Sequence, residues 1–525
     1  MTDGSGRPRG RVWAFPIALI AALTVWIALV TLVFPDLLTR AARGEGPAWL
    51  SARLAGRDTI PVEAYLADLR ELGIRVSAML GLFAALAAAW AARGIPVTQR
   101  LLQPAPLRDL GVARAVIVGL ALALLLWPGL PRMSLASDPA YQALLTHAPA
   151  GLFDPPGALR LLLPDVGRPS AGLLEAIWMG AVACALLGAV GAFGRLPLVG
   201  LAWANTVLVA HAYSYGEYHH PEALHSIALW VVAIAPSTRA FSVEEMRRRA
   251  REARVSGRFR PQEGPRLSAH ARWPLVLLAL LFAVTYFDAA IEKLLGAGLD
   301  WFDPQTMAYF MAVDGTRQEM PIAIWLSQHL AFLAPLSAGA WAIELLFPLA
   351  LVSSALAPVL VVLAAGMHVA IWLIHGPPFL QHVVLLPVAF QGPIRRAWRR
   401  VRGMPPARLR VLYDGHCDLC IRSMTTLETL DVSDRLEFLD LEDEEEEAGR
   451  LPQVDRLAAL ARMHVVDGEG RVWQGFAAFR RLARSLPALW AAVPLLYVPG
   501  SGRLGPIVYD AIARRRNRRG CRLAA

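Results

Sequence analysis

The chain has 525 residues, of which 56% are hydrophobic, and its mean hydropathy is +0.43. This apolar content exceeds that of an ordinary soluble domain, and it is concentrated before about residue 391. The formal net charge is +10, but only the stretch RRRNRRGCR near the C-terminus offers a basic soluble face, and such a tail suits anionic lipid. We therefore expect the lipid bilayer, and no nucleic acid, as a partner.

The first apolar run begins at Val12 and reads VWAFPIALIAALTVWIALVTLVF. It is long enough to cross a bilayer, which takes roughly 20 residues. Arg7, Arg9 and Arg11 precede it, as they would in a cleavable signal peptide, but the run exceeds the roughly 7–15 apolar residues of such a signal. No clear small-x-small cleavage site follows, so the sequence favours a retained span.

About ten spans are predicted in residues 1–403, which we interpret as one polytopic α-helical membrane domain. A short segment from Pro321 is predicted to be re-entrant or interfacial. Arginine-rich stretches at the N-terminus, after Arg247 and after Arg395 are all expected to be cytoplasmic. The sequence thus predicts a multi-pass protein of a bacterial-type inner (plasma) membrane with both termini in the cytoplasm. The predicted spans begin near Val12, Ile74, Gly111, Gly172, Leu196, Pro221, Trp273, Ala338, Pro358 and Phe379.

Residues 404–525 read as a small α/β domain with a basic C-terminal tail. Gly403, Pro405 and Pro406 interrupt the chain after the last span. Strand patterns follow at RLRVLYD, LEFLDL, RMHVVD and RVWQG, with helical patterns at IRSMTTLETLDV and FAAFRRLARSL. This order of strand, helix, strand, hairpin and helix predicts a thioredoxin-like fold.

Four cysteines are present, and two of them form a C-x-x-C pair where a strand turns into a helix. The positive end of the helix dipole stabilises a thiolate on Cys417, which would make it the attacking sulfur. Cys420, three residues later, is close enough to resolve a mixed disulfide. Cys184 lies inside an apolar span, where a thiol usually packs as a small hydrophobic group, and Cys521 has no assignment.

Zinc binding and two inert buried thiols are the alternatives for this pair. A structural zinc site takes four ligands, and only His416 and His464 lie nearby in the sequence, with no second C-x-x-C. Two inert buried thiols are less favoured, because the pair lies at the end of a strand and not within an apolar face. The pattern therefore favours redox chemistry, with a thiol or disulfide partner that the sequence does not identify.

Three blocks, YDGHCDLC, MHVVDGEGRVWQGFAAFRRL and LLYVPGSGRLGPIVYDAIARRR, resemble the DCC family of thiol-disulfide oxidoreductase-like domains. The resemblance runs from Leu409 to Arg519. It implies a thioredoxin-like fold with Cys417 as nucleophile and Cys420 as resolving thiol. One departure is Arg462, which stands where thioredoxins carry a cis-proline before the strand that faces the dithiol.

The membrane part has a resemblance of its own. YFDAAIEKLLGAGLDWFDPQTMAYFM, from Tyr286, resembles a block of the HTTM family, which includes vitamin K-dependent gamma-glutamyl carboxylase. The resemblance implies that Lys293 is a base acting on a hydroquinone and that His220, in YHHPEALHSIALW, is a catalytic histidine. Against carboxylation itself stand the missing lumenal propeptide-binding domain and Glu292, where that enzyme has a second lysine. No cofactor is certain, and a quinone is possible.

Lys293 is the only lysine in the chain, so the other 51 of the 52 Lys and Arg residues are arginine. A desolvated lysine can lose its proton and act as a base, whereas arginine stays protonated. The alternative is a lysine that extends to the membrane surface beside Glu292. Haem ligation by histidines such as His368 and His375 is a further alternative, although no C-x-x-C-H occurs.

Two function classes remain. The first is a membrane-anchored thiol-disulfide oxidoreductase that uses Cys417 and Cys420. The second is an HTTM-type enzyme or binder for a quinone or lipid, centred on Lys293 and His220, with the dithiol domain as an accessory. The predicted topology places the two sites on opposite sides of the membrane, so a shared mechanism would need a diffusing carrier such as a quinone.

Overall fold

The computed structural model of the chain contains two compact units, which are described separately. The first comprises residues 1–103 and 275–397, and the second comprises residues 104–274 and 398–525. The boundary predicted between residues 403 and 404 stays a prediction. The structure describes residues 10–55, 61–127, 138–163, 167–216, 220–262, 266–376, 378–402, 408–415, 417–441 and 454–518.

Helices dominate the described part of the chain before residue 403. In chain order they are α1 (Gly10–Ala28), α2 (Phe34–Ala42), α3 (Ala48–Ala55), α4 (Val62–Ala92), α5 (Val97–Leu102), α6 (Leu107–Leu126), α7 (Pro139–Leu145), α8 (Gly157–Leu162), α9 (Ala171–Val190), α10 (Leu196–Tyr213), α11 (His220–Ile234), α12 (Val243–Ser256), α13 (Arg272–Gly296), α14 (Pro304–Arg317), α15 (Pro321–Ser327), α16 (Leu333–Leu346), α17 (Leu349–Val352), α18 (Leu356–His375), α19 (Leu380–Ala389) and α20 (Gln391–Arg402).

Seven helices among the described residues are long and apolar enough to cross a membrane, or eight if one bent pair counts as a single span. The chain therefore has the character of a multi-pass membrane protein, but the predicted count of about ten spans is not confirmed. Two of the predicted spans correspond to the shorter apolar helices Pro221–Ile234 and Leu380–Ala389. The bent pair turns by 94° between Pro321–Ser327 and Leu330–Leu346, within the segment predicted to be re-entrant.

Among the described residues, the C-terminal part of the second unit contains a four-stranded sheet and five helices. The sheet has the order β4-β3-β5-β6, with β3 parallel to β4 and antiparallel to β5, and with β5 antiparallel to β6. A separate two-stranded sheet pairs β1 (Ala105–Pro106) with β2 (Leu267–Ser268). The remaining elements are β3 (Leu409–Tyr413), α21 (Asp418–Leu430), β4 (Leu436–Asp440), α22 (Arg456–Ala461), β5 (His464–Val466), β6 (Val472–Gln474), α23 (Gly475–Ser485), α24 (Val493–Tyr497) and α25 (Ser501–Arg518).

Alternation along β3 divides the core of this region between the two faces of the sheet. Val411 and Tyr413 join one buried cluster with Met424 of α21, while Leu412 joins a second cluster with Val466. Successive side chains of a strand point to opposite faces, so one strand serves both clusters. The predicted order of strand, helix, strand, hairpin and helix is present, with the helix α22 as an addition between β4 and β5.

Candidate functional site

The cysteine pair lies at the start of α21, directly after β3. Cys417 is the N-cap residue of this helix, and the backbone N–H of Ile421 donates to the Cys417 carbonyl at 2.8 Å. The backbone N–H of Cys417 donates in turn to the carbonyl of Asp414 at 3.3 Å. The sulfur of Cys417 thus belongs to the residue at the positive end of the helix dipole, where a thiolate is stabilised.

The two cysteines differ in their access to solvent. Cys417 is 0% exposed, whereas Cys420 is partly exposed and lines a groove. Cys417 takes part in a disulfide. The pairing of Cys417 with Cys420 remains a prediction.

Asp440, the last residue of β4, holds the turn that precedes Cys417. Its Oδ1 accepts a hydrogen bond from the backbone N–H of Gly415 at 3.0 Å, and its Oδ2 accepts one from Nε of Arg258 at 2.7 Å. A Cβ atom at position 415 would lie 2.1 Å from Asp440 Oδ2, so the close approach of this turn to the carboxylate requires glycine. An arginine from the loop after α12 is thereby linked to the cysteine turn.

Phe259, from the same loop, belongs to the core around β3. It is 2% exposed and makes edge-on ring contacts with Tyr413 and Phe438, at centroid distances of 5.4 and 5.7 Å. The Tyr413 hydroxyl donates to the Phe259 carbonyl at 3.3 Å. Edge-to-face pairs of this kind add stabilisation beyond the burial of area.

Two ion pairs tie α12 to both ends of α21. At the N-terminal end, Arg254 pairs with Asp418, which lies between the two cysteines, at 3.0 Å. At the C-terminal end, Arg249 pairs with Glu428 at 2.6 Å, and both side chains are mostly buried. The segment between α11 and β2 is therefore a structural part of the region that carries the cysteines.

A groove of about 910 Å³ opens beside Cys420. We call it the α21–α25 groove, because α21 forms one wall and α25 the other. Its lining is mainly apolar and includes Leu419, Leu427, Leu504 and Val508. A reagent or ligand that enters this groove would meet Cys420 and not the fully buried Cys417.

His464 is one of the two histidines weighed as zinc ligands, and Arg462 stands where thioredoxins carry a cis-proline. His464 is 1% exposed and donates from Nδ1 to the Arg462 carbonyl at 2.8 Å. The Arg462 side chain pairs with Asp510 of α25 at 3.0 Å. Within the described ranges no group of three or more His, Cys, Asp or Glu side chains could hold a metal ion, and His416 lies outside those ranges.

In the first unit, Lys293 lies near the end of α13 in a polar pair. Its Nζ lies 2.8 Å from Glu344 Oε2 and 2.9 Å from Oε1, and 5.1 Å from the centroid of the Trp301 ring. Glu344 is buried, and the Lys293 side chain is 22% exposed. A charged pair of this kind at membrane depth is costly and marks a candidate functional position.

One helical face of α13 carries a second polar contact, two turns before Lys293. The Tyr286 hydroxyl and His368 Nε2 are 2.7 Å apart, and the His382 ring lies 4.5 Å from the His368 ring. His220 begins α11 in the second unit, and its side chain lies outside the described residues. The predicted partnership of Lys293 with His220 therefore stays a prediction.

Sequence reasoning missed the contribution of the loop after α12. Arg258, Phe259 and Asp440 organise the cysteine turn, yet the stretch RRRAREARVSGRFRPQEGPR from Arg247 was predicted only to be an arginine-rich cytoplasmic segment. The one available signal was Phe259, a large apolar residue inside an arginine-rich stretch. Such a residue usually seeks a buried environment.

Comparison with known proteins gives a partial match. Residues 411–522 match the family model of the DCC1-like thiol-disulfide oxidoreductases. Over 110 residues, or 21% of its length, the chain is 28% identical to an uncharacterized chloroplastic protein of Arabidopsis thaliana, of which it covers 51%. The chain thus spans about half the length of that relative. No solved structure matches the chain. Residues 411–522 are therefore similar to the DCC1-like thiol-disulfide oxidoreductases.

Proposed function

We propose that this protein is a membrane-anchored thiol-disulfide oxidoreductase whose thioredoxin-like C-terminal domain uses Cys417 and Cys420 as its dithiol. The observation that carries the proposal is the position of Cys417 at the N-cap of α21, inside the region similar to DCC1-like oxidoreductases. A cysteine at a helix N-terminus gains thiolate character, and the thiolate is the attacking species.

The exchange conserves atoms and electrons. The Cys417 thiolate attacks one sulfur of a substrate disulfide, forms a mixed disulfide and expels the second substrate sulfur as a thiolate, which takes up a proton. Cys420 then attacks the Cys417 sulfur, which closes a Cys417–Cys420 disulfide and releases the remaining substrate thiol. Two electrons pass from the dithiol to the substrate. Because Cys417 is fully buried, the turn from Asp414 must open for the first step.

The test uses the reduced full-length protein in lipid nanodiscs with oxidised glutathione as the disulfide. We expect glutathione to be released in proportion to protein, and we expect Cys417→Ser to abolish the release. Cys420→Ser is expected to stop at a glutathione mixed disulfide on Cys417, and Cys184→Ser is the matched control. Because the first attack releases one glutathione and the second attack releases another, Cys420→Ser should release half as much as the parent protein. Release that persists at the parent level in Cys417→Ser, or in Cys420→Ser, would contradict the proposal.

The proposed location is a bacterial-type inner membrane, with both termini in the cytoplasm. Support comes from the arginine-rich loops, since such segments stay on the cytoplasmic side. Reducing conditions there would keep the pair as a dithiol between turnovers. A membrane-impermeant maleimide applied to intact cells should spare Cys420. Labelling of Cys420 before the cells are lysed would place the domain outside.

A second candidate function is an HTTM-type quinone or lipid site at Lys293. The observation that favours it is the buried pair of Lys293 with Glu344 beneath Trp301, while the family resemblance rests on sequence blocks alone. If a quinone bound there, it would supply two-electron redox chemistry, and Lys293 and Glu344 would be the residues that hold it. Quinone oxidation or reduction by the protein in membranes would be measured. Activity that is lost in Lys293→Ala but retained in Cys417→Ser would establish this second function. The reverse pattern would exclude it.

A further inference from the structure

The α21–α25 groove has the dimensions of one lipid chain. Its lining residues on α21 run from Leu419 to Leu430, which is about 17 Å of helix at 1.5 Å per residue. The hydrocarbon core of a bilayer is about 30 Å thick, so the chains of one leaflet extend about 15 Å. The groove volume of about 910 Å³ also falls within the roughly 300–1,000 Å³ of small-molecule sites.

Polar groups along the walls are bonded within the protein. The hydroxyls of Ser423 and Thr426 donate at 2.8 Å to carbonyls one turn earlier in α21. The Tyr509 hydroxyl on the opposite wall accepts from the backbone N–H of Met463 at 2.9 Å. An extended peptide binds largely through backbone hydrogen bonds, whereas an apolar chain needs no such partner. These walls therefore suit an apolar chain better than an extended peptide.

The wall formed by α25 presents large apolar side chains to solvent. Leu504, Val508 and Ile512 all line the groove, and they are 65%, 57% and 52% exposed. Their spacing of four residues places them in one row along the helix. A row of exposed aliphatic side chains inside a concave site marks a surface that is covered in use.

We propose that the α21–α25 groove binds the apolar chain of a single-chain amphiphile of the long-chain fatty acid class. We place the head group near Cys420 and Arg422, two polar residues of the lining. Because the same chain carries membrane spans, the bilayer is the source of such molecules. The proposal goes beyond disulfide exchange and does not depend on whether Cys417 and Cys420 transfer electrons.

The test uses the full-length protein in nanodiscs and a palmitic acid that carries a diazirine at its chain end. After irradiation, label on peptides from α21 and α25 is measured by mass spectrometry and divided by label on the spans. We expect excess palmitic acid to displace the probe from the groove and so to lower this ratio. We also expect Val508→Trp, which fills the groove, to lower the ratio at least tenfold. Ile507→Trp is the matched control, since Ile507 is equally exposed on α25 but does not line the groove.

Thr426→Trp fills the groove from the opposite wall and keeps the proposal testable if Val508→Trp does not fold. It should lower the label ratio to a similar extent. A ratio that neither groove variant lowers, or that Ile507→Trp lowers as much, would overturn the proposal. So would the appearance of dimers that the groove variants abolish, because a second copy of the chain would then be the occupant.

Discussion

Arg258 and Asp440 are joined at 2.7 Å, and through this contact a loop between membrane helices holds the turn that precedes Cys417. The carboxylate of Asp440 is buried and accepts from Arg258 on one oxygen and from the Gly415 N–H on the other. A hydrogen bond between charged groups is worth about 1.5–3 kcal/mol, enough to decide whether a short turn stays closed.

We therefore predict that Arg258→Ala loosens this turn and exposes Cys417. In the reduced full-length protein, the rate of Cys417 alkylation by iodoacetamide should rise about tenfold, while the rate at Cys420 stays unchanged. Arg471→Ala is the control, because Arg471 pairs with Asp467 at 3.0 Å in the β5–β6 hairpin. Equal rates in Arg258→Ala and the parent protein would show that the contact does not control access.

Phe259 is expected to be essential for the stability of the C-terminal region. Phe259→Ala removes a fully buried ring from the core beside Tyr413, and such truncations cost about 3–5 kcal/mol. Hydrogen exchange measured by mass spectrometry should show faster exchange of the amides of β3 and α21. Val255→Ala, at a residue of the same segment that is 91% exposed, should leave this exchange unchanged.

The pH dependence of stability should change when Arg108 is replaced. Burial disfavours ionisation of Asp434, but its hydrogen bonds to Arg108 and the charges of Arg108, Arg408 and Arg399 outweigh that effect and lower the pKa of this carboxyl. A lowered folded-state pKa contributes stability above the unfolded pKa of about 3.9, and the contribution is lost as the pH falls through the folded value.

Arg108→Gln should therefore lower the melting temperature at pH 6, and the difference from the parent protein should shrink as the pH falls below about 4. Thermal unfolding in nanodiscs across this pH range measures it. Asp431 acts in the opposite direction, because burial raises the pKa of its carboxyl. A raised folded-state pKa means that protonation of Asp431 stabilises the folded protein as the pH falls. Asp431→Asn removes this carboxyl, so the variant should lose that part of the pH dependence of the melting temperature. A difference for Arg108→Gln that is constant with pH would contradict the assignment.

Lys293 and Glu344 should behave as a coupled pair. Removing one partner leaves the other charge in an apolar environment, which typically costs 3–5 kcal/mol. We expect Lys293→Met and Glu344→Gln each to lower the melting temperature in nanodiscs, and the double variant to lose less than the two single losses combined. Additive losses would show that the 2.8 Å contact carries no coupling energy.

The sequence was most informative where local pattern determines structure. The β-branched and aromatic residues of β3 and the helical pattern after Asp418 predicted the elements that place Cys417 at a helix start, and both elements are present. The span count was not recovered, because apolar runs such as Pro221–Ile234 and Leu380–Ala389 form helices of only 10–17 residues. An apolar run alone does not determine whether a helix continues for 20 residues or breaks at a proline or glycine.

Contacts between distant parts of the chain could not be predicted at all. Phe259 and Tyr413 are 154 residues apart in sequence, and nothing local to either one specifies the other. The access difference between Cys417 and Cys420 has the same origin, since the groove beside Cys420 depends on α25, some 80 residues later. Periodicity identifies a buried face but does not identify what covers it.

The most direct test of the dithiol is a disulfide map of the oxidised full-length protein. Trypsin cleaves after Arg410 and Arg422, so both cysteines fall in the single peptide VLYDGHCDLCIR. After oxidation of the reduced protein with excess glutathione disulfide, this peptide should be found two hydrogens lighter, with Cys417 bonded to Cys420. A peptide in which Cys417 is instead cross-linked to the Cys521 peptide, with Cys420 still alkylatable, would contradict the account.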